Sequence, residues 1–307
     1  MFIIPETFAR FMVTLYGEEG RAWIERLPAI LAACERRWNI TIEPPFDDLS
    51  FHYVAPAVCA DGTPVVVKAS PPNGEFAHQF EALRLFDGRG MVRLLASDAT
   101  DKVMLLERLL PGTRLTTVEN DEKAISIAAS VMRQIWRPAP EQHPFPTVQD
   151  WGRGFTRLRA HYGGGSGPFP AALLERAERL FAELSASMAA PMLLHGDLHQ
   201  ENILAAQRQP WLAIDPKGLI GEPAYETGAV LRNALSPALP AQQLGRILAR
   251  RVDQLAGELG LDRARVRDWG LAQAVLSVWW DIEDFGSFSQ WSQEALTCAE
   301  LLAALKR

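Results

Sequence analysis

The stretch LLHGDLHQENILAAQRQPWLAIDPKG, residues 193–218, decides how the rest of the chain is read. Two histidines, two acidic residues, an asparagine and a glycine follow directly on a short apolar run. Asp197 precedes Asn202 within one turn-rich segment, and Asp215 comes just past the apolar run WLAI. NILAAQ and WLAID read as two short strands that fold back on each other. Such a hairpin returns Asp215 toward Asn202 and Asp197, so three polar side chains converge although they are spread along the chain.

That trio suits phosphoryl transfer. One carboxylate orients an attacking hydroxyl and accepts its proton, the role expected of Asp197. An amide and a second carboxylate offer oxygen donors to Mg²⁺, the role expected of Asn202 and Asp215. Two other readings stay open at this level. The segment also fits an ordinary polar turn, and His195-x-Asp197-x-His199 offers ligands to Zn²⁺ or a di-metal pair. The metal reading needs further ligands, and His52, His78, His143 and His161 have no ligand-like spacing. His195 is expected to brace the loop through hydrogen bonds.

Outward from this stretch, the composition is that of a globular protein: 307 residues, 48% hydrophobic, 22% charged. A net charge of -6 argues against a nucleic-acid or anionic-membrane surface. The longest uncharged apolar runs, such as GLAQAVLSVWW, fall short of the ~20 residues that span a bilayer. MFIIPETFARFMV has no basic region before its apolar patch, so no export signal is expected. Cys34, Cys59 and Cys298 form no CxxC pair, and a reduced, cytoplasmic setting follows as the expectation.

From Glu6 to Trp38 the apolar spacing predicts two helices broken near Gly17 to Gly20. Residues 49–110 then read as strand, strand, helix, strand, strand, with Asp61-Gly62 as a hairpin turn. From Asp121 onward the pattern is mainly helical, with helices predicted over 121–136, 171–188, 241–259, 263–281 and 291–306. PMLLHGD, NILAAQ and WLAID interrupt it as strands. HYGGGSGPFP resembles a phosphate loop only in its glycines, since no Lys-Ser/Thr follows, and reads as a connecting loop. A small, mostly β lobe followed by a larger helical lobe is the outline.

The H-x-D-x4-N spacing and the later aspartate resemble the protein-kinase catalytic loop. The wording HGDLHQEN is closer to the aminoglycoside phosphotransferases and their small-molecule kinase relatives. WIERLPAILAACERRWNI, SFHYVAPAVCADGTPVVVK, ALRLFDGRGMVRLLASD, LLERLLPGTRL and IDPKGLIGEPAYETGAVLRN resemble the streptomycin phosphotransferase branch, the aminoglycoside/hydroxyurea resistance kinases. Together they cover nearly the whole chain.

The resemblance implies an α+β, protein-kinase-like two-lobe fold. Its N-terminal lobe would run over 1–110, as a helical extension over 1–45 and an antiparallel nucleotide-binding sheet over 46–110. A mainly helical C-terminal lobe, 111–307, would carry the catalytic loop and the acceptor site. ATP and Mg²⁺ are the implied cofactors. Asp197 matches the catalytic aspartate, and Asn202 and Asp215 match the metal ligands. Lys68 matches the lysine on the nucleotide phosphates, and Glu81 matches its carboxylate partner better than Glu75 does. LLERL resembles the inter-lobe hinge, whose backbone near Glu107 and Leu109 would meet adenine.

Three departures matter. DLSFHY stands where protein kinases carry a glycine-rich loop, leaving backbone amides at Ser50 to His52 to cradle phosphate. DPKG replaces D-F-G, which sets Lys217 beside the metal aspartate as a cation near the transferred group. Gly196 replaces the arginine that reads a phosphorylated activation loop, so regulation by such phosphorylation is not expected.

The acceptor is expected to be a small hydroxyl compound that is cationic, because Asp281 and Asp284 share a helix face beside Trp280. Glu222 and Glu226 are further candidates. An aminoglycoside of the streptomycin type leads, with hydroxyurea or a metabolite as alternatives. A metal-dependent hydrolase and a nucleotide-binding protein without turnover are the rivals outside the class. Neither a nucleic-acid nor a membrane partner is expected.

Overall fold

A computed structural model of the chain describes residues 2–72, 75–188, 191–233 and 238–306. The chain divides into two compact units, Met1–Gly112 and Thr113–Arg307.

The first unit begins with α1 (Glu6–Trp38), two helical segments that meet at Gly17, where the backbone turns to φ 57°. β1 (Ile40–Ile42), β2 (Tyr53–Cys59) and β3 (Pro64–Ala69) follow, then α2 (Glu75–Phe86), β4 (Leu94–Asp98) and β5 (Val103–Glu107). The strands form an antiparallel sheet in the order β1-β2-β3-β5-β4. Because side chains alternate along a strand, register decides which face each residue takes. Ala55 pairs with Val67, and Val67 with Leu105, so these small and β-branched residues share one face. That face packs with Met12, Leu27, Ile30 and Leu31 of α1 in a continuous apolar core. The other parity runs Val54–Lys68–Met104, which puts Lys68 on the face opposite the core.

β6 (Pro111–Arg114) carries the chain across the boundary. The second unit continues through α3 (Asp121–Ile135), β7 (Arg137–Pro138), α4 (Val148–His161) and α5 (Ala171–Ala186). Then come β8 (Met192–Leu194), β9 (Ile203–Ala206), β10 (Trp211–Ala213), β11 (Leu219–Gly221) and α6 (Pro223–Arg232). It ends with α7 (Ala241–Leu259), α8 (Arg263–Phe285) and α9 (Gln290–Ala304). Among the described residues the strands form two small sheets, β11-β8-β7 and β10-β9-β6. α8 is mostly apolar from Val266 to Trp279 and buried along that length, its buried Arg267 and Asp268 paired with each other, as suits a helix at the centre of a bundle. It packs against α4, α5, α6, α7 and α9. Asp262 caps its first turn by accepting from the Arg265 amide, and Gly286 closes it in the left-handed region at φ 71°.

Among the described residues, no helix is long and apolar enough to cross a membrane. HYGGGSGPFP is a connection between α4 and α5, with Gly163, Gly164 and Gly167 at positive φ.

Candidate active site

Chain geometry within the second unit assembles the site. β8 ends at Leu194 and is fixed on one side by β11, where Leu194 pairs with Leu219. The loop 195–202 follows, and β9 and β10 then fold back with Ile203 opposite Ala213. The Ile214 amide closes this hairpin on the Asn202 carbonyl at 2.9 Å, which sets Asp215 beside Asn202. The turn after Asp215 returns to the loop, since the amides of Lys217 and Gly218 both donate to the His195 carbonyl. Asp215 itself stands in the left-handed region at φ 61°, a conformation that aspartate and asparagine tolerate better than other side chains.

His195 is fully buried and works as a brace. Its Nε2 is 2.7 Å from the Ile214 carbonyl, and its Nδ1 accepts from the Asp197 amide at 3.2 Å. A carbonyl only accepts, so Nε2 carries the proton and Nδ1 is bare. Burial pushes the imidazole down to about 4, keeping it neutral and in this tautomer. With both nitrogens committed to backbone, His195 has nothing to give a metal, which removes the H-x-D-x-H metal site. Gly196 stands at φ 91°, and a Cβ there would press on Trp151, Lys217 and Leu219 at 3.2 Å. Gly196→Ala is therefore expected to cost about 1–3 kcal/mol in urea unfolding, along with a lower kcat.

Asp197 is half-buried on the loop, its side chain 28% accessible. Oδ1 accepts from Arg232 Nη2 at 2.9 Å, and Oδ2 lies 3.7 Å from His199 Nε2. Burial pushes this carboxyl upward, but His199, Arg232 and Lys217 outweigh it and hold it below the ordinary aspartate value. Asp197 is thus an oriented, ionised carboxylate. The Asn202 amide donates to the Asp197 carbonyl at 3.0 Å, which turns its Oδ1 the other way as an oxygen donor. That oxygen and the Asp215 carboxylate are hard ligands, and they fit Mg²⁺.

Arg232 escaped sequence reasoning, as did the true office of Glu226. Expected at the acceptor, Glu226 is instead 1% exposed beneath the loop. Its carboxylate accepts from the amides of His195 at 2.6 Å and Gly196 at 3.0 Å. Burial pushes it up to about 7, against the pull of those amides. Glu222, also expected at the acceptor, is buried and held by Arg265 and by Trp269 Nε1. Asp281 accepts from the hydroxyls of Ser289 and Ser292, where it secures the start of α9. Neither buried carboxylate offers a surface to a ligand. Trp280 is half-buried, edge-on to Trp151 at 5.2 Å, and Asp284 is exposed.

In the first unit, Lys68 is 6% exposed at the end of β3. Glu81 is bound through both oxygens to Arg84 of its own helix, at 2.6 and 2.8 Å, instead of reaching toward the sheet. The Glu107 amide donates to the Arg93 carbonyl, and its carboxylate accepts from the Arg93 amide. Leu109 is buried, His52 is buried and Ser50 is exposed.

A unit built on an antiparallel sheet and a mainly helical unit, the latter with an oriented aspartate and two oxygen-bearing side chains on a loop and hairpin, define a protein-kinase-like small-molecule kinase. A choline/ethanolamine kinase family protein from Mesorhizobium loti has the same fold, with a TM-score of 0.68 at 14% identity, over 92% of this chain and 95% of that one. The chain belongs to the aminoglycoside/hydroxyurea antibiotic resistance kinase family, whose model matches residues 37–285. It is 35% identical over 292 residues to a streptomycin 6-kinase of Streptomyces glaucescens, covering 92% of this chain and 91% of that one. It is also 35% identical over 291 residues to a hydroxyurea phosphotransferase of Kitasatospora aureofaciens, covering 92% and 81%.

Proposed function

We propose that this kinase transfers the γ-phosphoryl group of Mg²⁺-ATP to a hydroxyl of an aminoglycoside of the streptomycin type. The carrying observation is the Asp197 carboxylate, fixed by Arg232 within the turn that also presents Asn202 and Asp215. Phosphoryl transfer passes through a loose transition state, so a site contributes mainly by positioning and charge. Asp197 orients the acceptor hydroxyl in line with the phosphoryl group and takes its proton late, which suits a carboxylate of low basicity. Asn202 and Asp215 hold Mg²⁺, which supplies neutralising charge at the phosphate oxygens. Lys68 binds the phosphates, with backbone at Ser50 and His52 closing over them, and backbone at Glu107 and Leu109 meets adenine.

The acceptor binds in a cavity of about 350 Å³ whose lining includes Arg232, Asn233, Gln290, Trp291, Gln293 and Glu294. This cavity begins at the residue that holds Asp197, and its amides, aromatic ring and single carboxylate suit a cationic polyhydroxylated ring. Hydroxyurea is the second reading, favoured by a hydroxyurea phosphotransferase at the same 35% identity as the streptomycin kinase.

The test is ADP release with Mg²⁺-ATP, alone and with streptomycin or hydroxyurea, followed by mass spectrometry of the acceptor. Streptomycin-stimulated turnover that yields phosphorylated drug is the expected result. Stimulation by hydroxyurea alone would transfer the assignment to the second reading. ATP binding without stimulation by either would remove both.

A further inference from the structure

One buried polar side chain of α8 reaches the catalytic loop through a single intermediary. Gln273 is 1% exposed in the middle of that buried helix. Its Oε1 accepts from Arg232 Nη1 at 2.6 Å, while Arg232 Nη2 donates to Asp197 Oδ1 at 2.9 Å. The guanidinium is thus stretched between a neutral amide on one side and the carboxylate on the other. Among the described residues its Nε, also buried, has no acceptor. Those two arms are what define its orientation, against the rotamer freedom a long arginine side chain otherwise keeps.

Room for this arrangement is made on α6. A Cβ at Gly228 would overlap the Gln273 side-chain amide, so only glycine there lets Gln273 cross the α6–α8 contact to Arg232. The second arm of the amide is weak, since Nε2 lies 3.4 Å from the Tyr225 carbonyl. The choice of amide also has a charge logic. A neutral acceptor fixes the guanidinium without competing for its positive charge, which stays directed at Asp197.

We propose that Gln273 is a positioning residue for phosphoryl transfer, holding Arg232 so that Arg232 holds Asp197 in its productive orientation. This rests on Asp197 being the residue that receives the acceptor hydroxyl. Gln273 lies behind Arg232, so its main effect falls on kcat, with the KM for ATP unchanged and only a small change in the acceptor's KM through Arg232 at the cavity wall. Misplacement of a reacting group by about 1 Å costs up to roughly a hundredfold in rate, and a tenfold to hundredfold loss of kcat is expected here.

The experiment compares Gln273→Leu, Gln273→Glu, Gly228→Ala and the Gly228→Ala/Gln273→Leu double variant in the full-length enzyme. The acceptor is streptomycin or hydroxyurea, whichever the wild type phosphorylates. Gln273→Leu should lose kcat with the KM for ATP within about twofold of wild type and a loss in kcat larger than any rise in the acceptor's KM. Gln273→Glu keeps an acceptor oxygen for Arg232 but competes for its charge, so its kcat should fall between those of wild type and the leucine variant. Gly228→Ala should reproduce the leucine defect, and the double variant should add little, because both changes cut the same link. An unchanged kcat in Gln273→Leu overturns the proposal. So does a glutamate variant as impaired as the leucine one, or additive losses in the double variant. If the wild type phosphorylates neither acceptor, the functional reading fails on its own. A crystal structure of Gln273→Leu still decides this one: Arg232 displaced from Asp197 supports it, and Arg232 in place overturns it.

Discussion

Asp197→Ala is expected to abolish phosphoryl transfer while ATP still binds. A positioned general base contributes about 10²–10⁴ in rate, or roughly 3–5 kcal/mol of barrier at 1.36 kcal/mol per decade. The loss should reach the upper part of that range, because on the proposed mechanism Asp197 both orients the hydroxyl and receives its proton. Removing it also strips Arg232 of its carboxylate, with the arginine side chain only 7% exposed. A buried charge without its partner is costly, so Asp197→Asn, which keeps the shape, is the cleaner companion. Single-turnover kinetics and calorimetric titration with Mg²⁺-ATP separate chemistry from binding. Either variant turning over at a tenth of the wild-type rate would contradict the assignment.

Glu226→Leu should be the most damaging change away from the reacting atoms. The leucine leaves the His195 and Gly196 amides buried without an acceptor, and each such group costs about 1–3 kcal/mol. A loss of about 3–5 kcal/mol in urea unfolding is expected, with the catalytic loop slack and turnover lost. The same variant carries a pH signature. Glu226 has its folded pKa raised to about 7 from 4.5, so its contribution is present below 4.5 and is lost as pH rises toward 7. His195 has its folded pKa lowered to about 4 from 6.5, so its contribution is present above 6.5 and is lost as pH falls toward 4. Between about 4.5 and 6.5 the two slopes oppose each other, and wild-type stability is nearly flat in this pair. With Glu226 gone, stability should climb by up to about 1.4 kcal/mol per pH unit across that window. Urea midpoints at pH 5 and pH 6.5 read the difference, and a variant with the wild-type slope would contradict the raised pKa of Glu226.

The parts of the fold and site that could be read from the sequence were those built locally. Residues 193–218 hold a strand, a turn and a hairpin in one continuous run, so spacing alone brings Asp215 back to Asn202. The break in α1 at Gly17 and the caps of α3 and α8 are likewise local, as Asn120 and Asp262 each accept from an amide three residues on. What could not be read depends on packing between distant segments. Glu222, Glu226 and Asp281 are carboxylates near functional sequence, and nothing in a string of letters says that α6 is buried along nearly its whole length. The Arg232–Asp197 pair exists because α6 crosses behind the loop, which no spacing rule encodes. α4 is a different kind of miss. Gly152 and Gly154 lower its helix propensity, yet Thr147 and Asp150 form a capping box, and Val148, Trp151, Phe155 and Leu158 fall on one face. Both glycines serve close approach, since a Cβ would strike Phe181 or Leu276.

The left-handed backbone at Asp215 narrows the choice of side chain at that position. Asparagine fits the backbone but discards the charge, and glutamate keeps the charge in a conformation that its longer side chain does not favour. Glycine alone relaxes the turn, and it brings no ligand. Conformation and chemistry thus reject different neighbours of the same codon. On the proposed role of Asp215 as a Mg²⁺ ligand, aspartate alone of these four meets both demands.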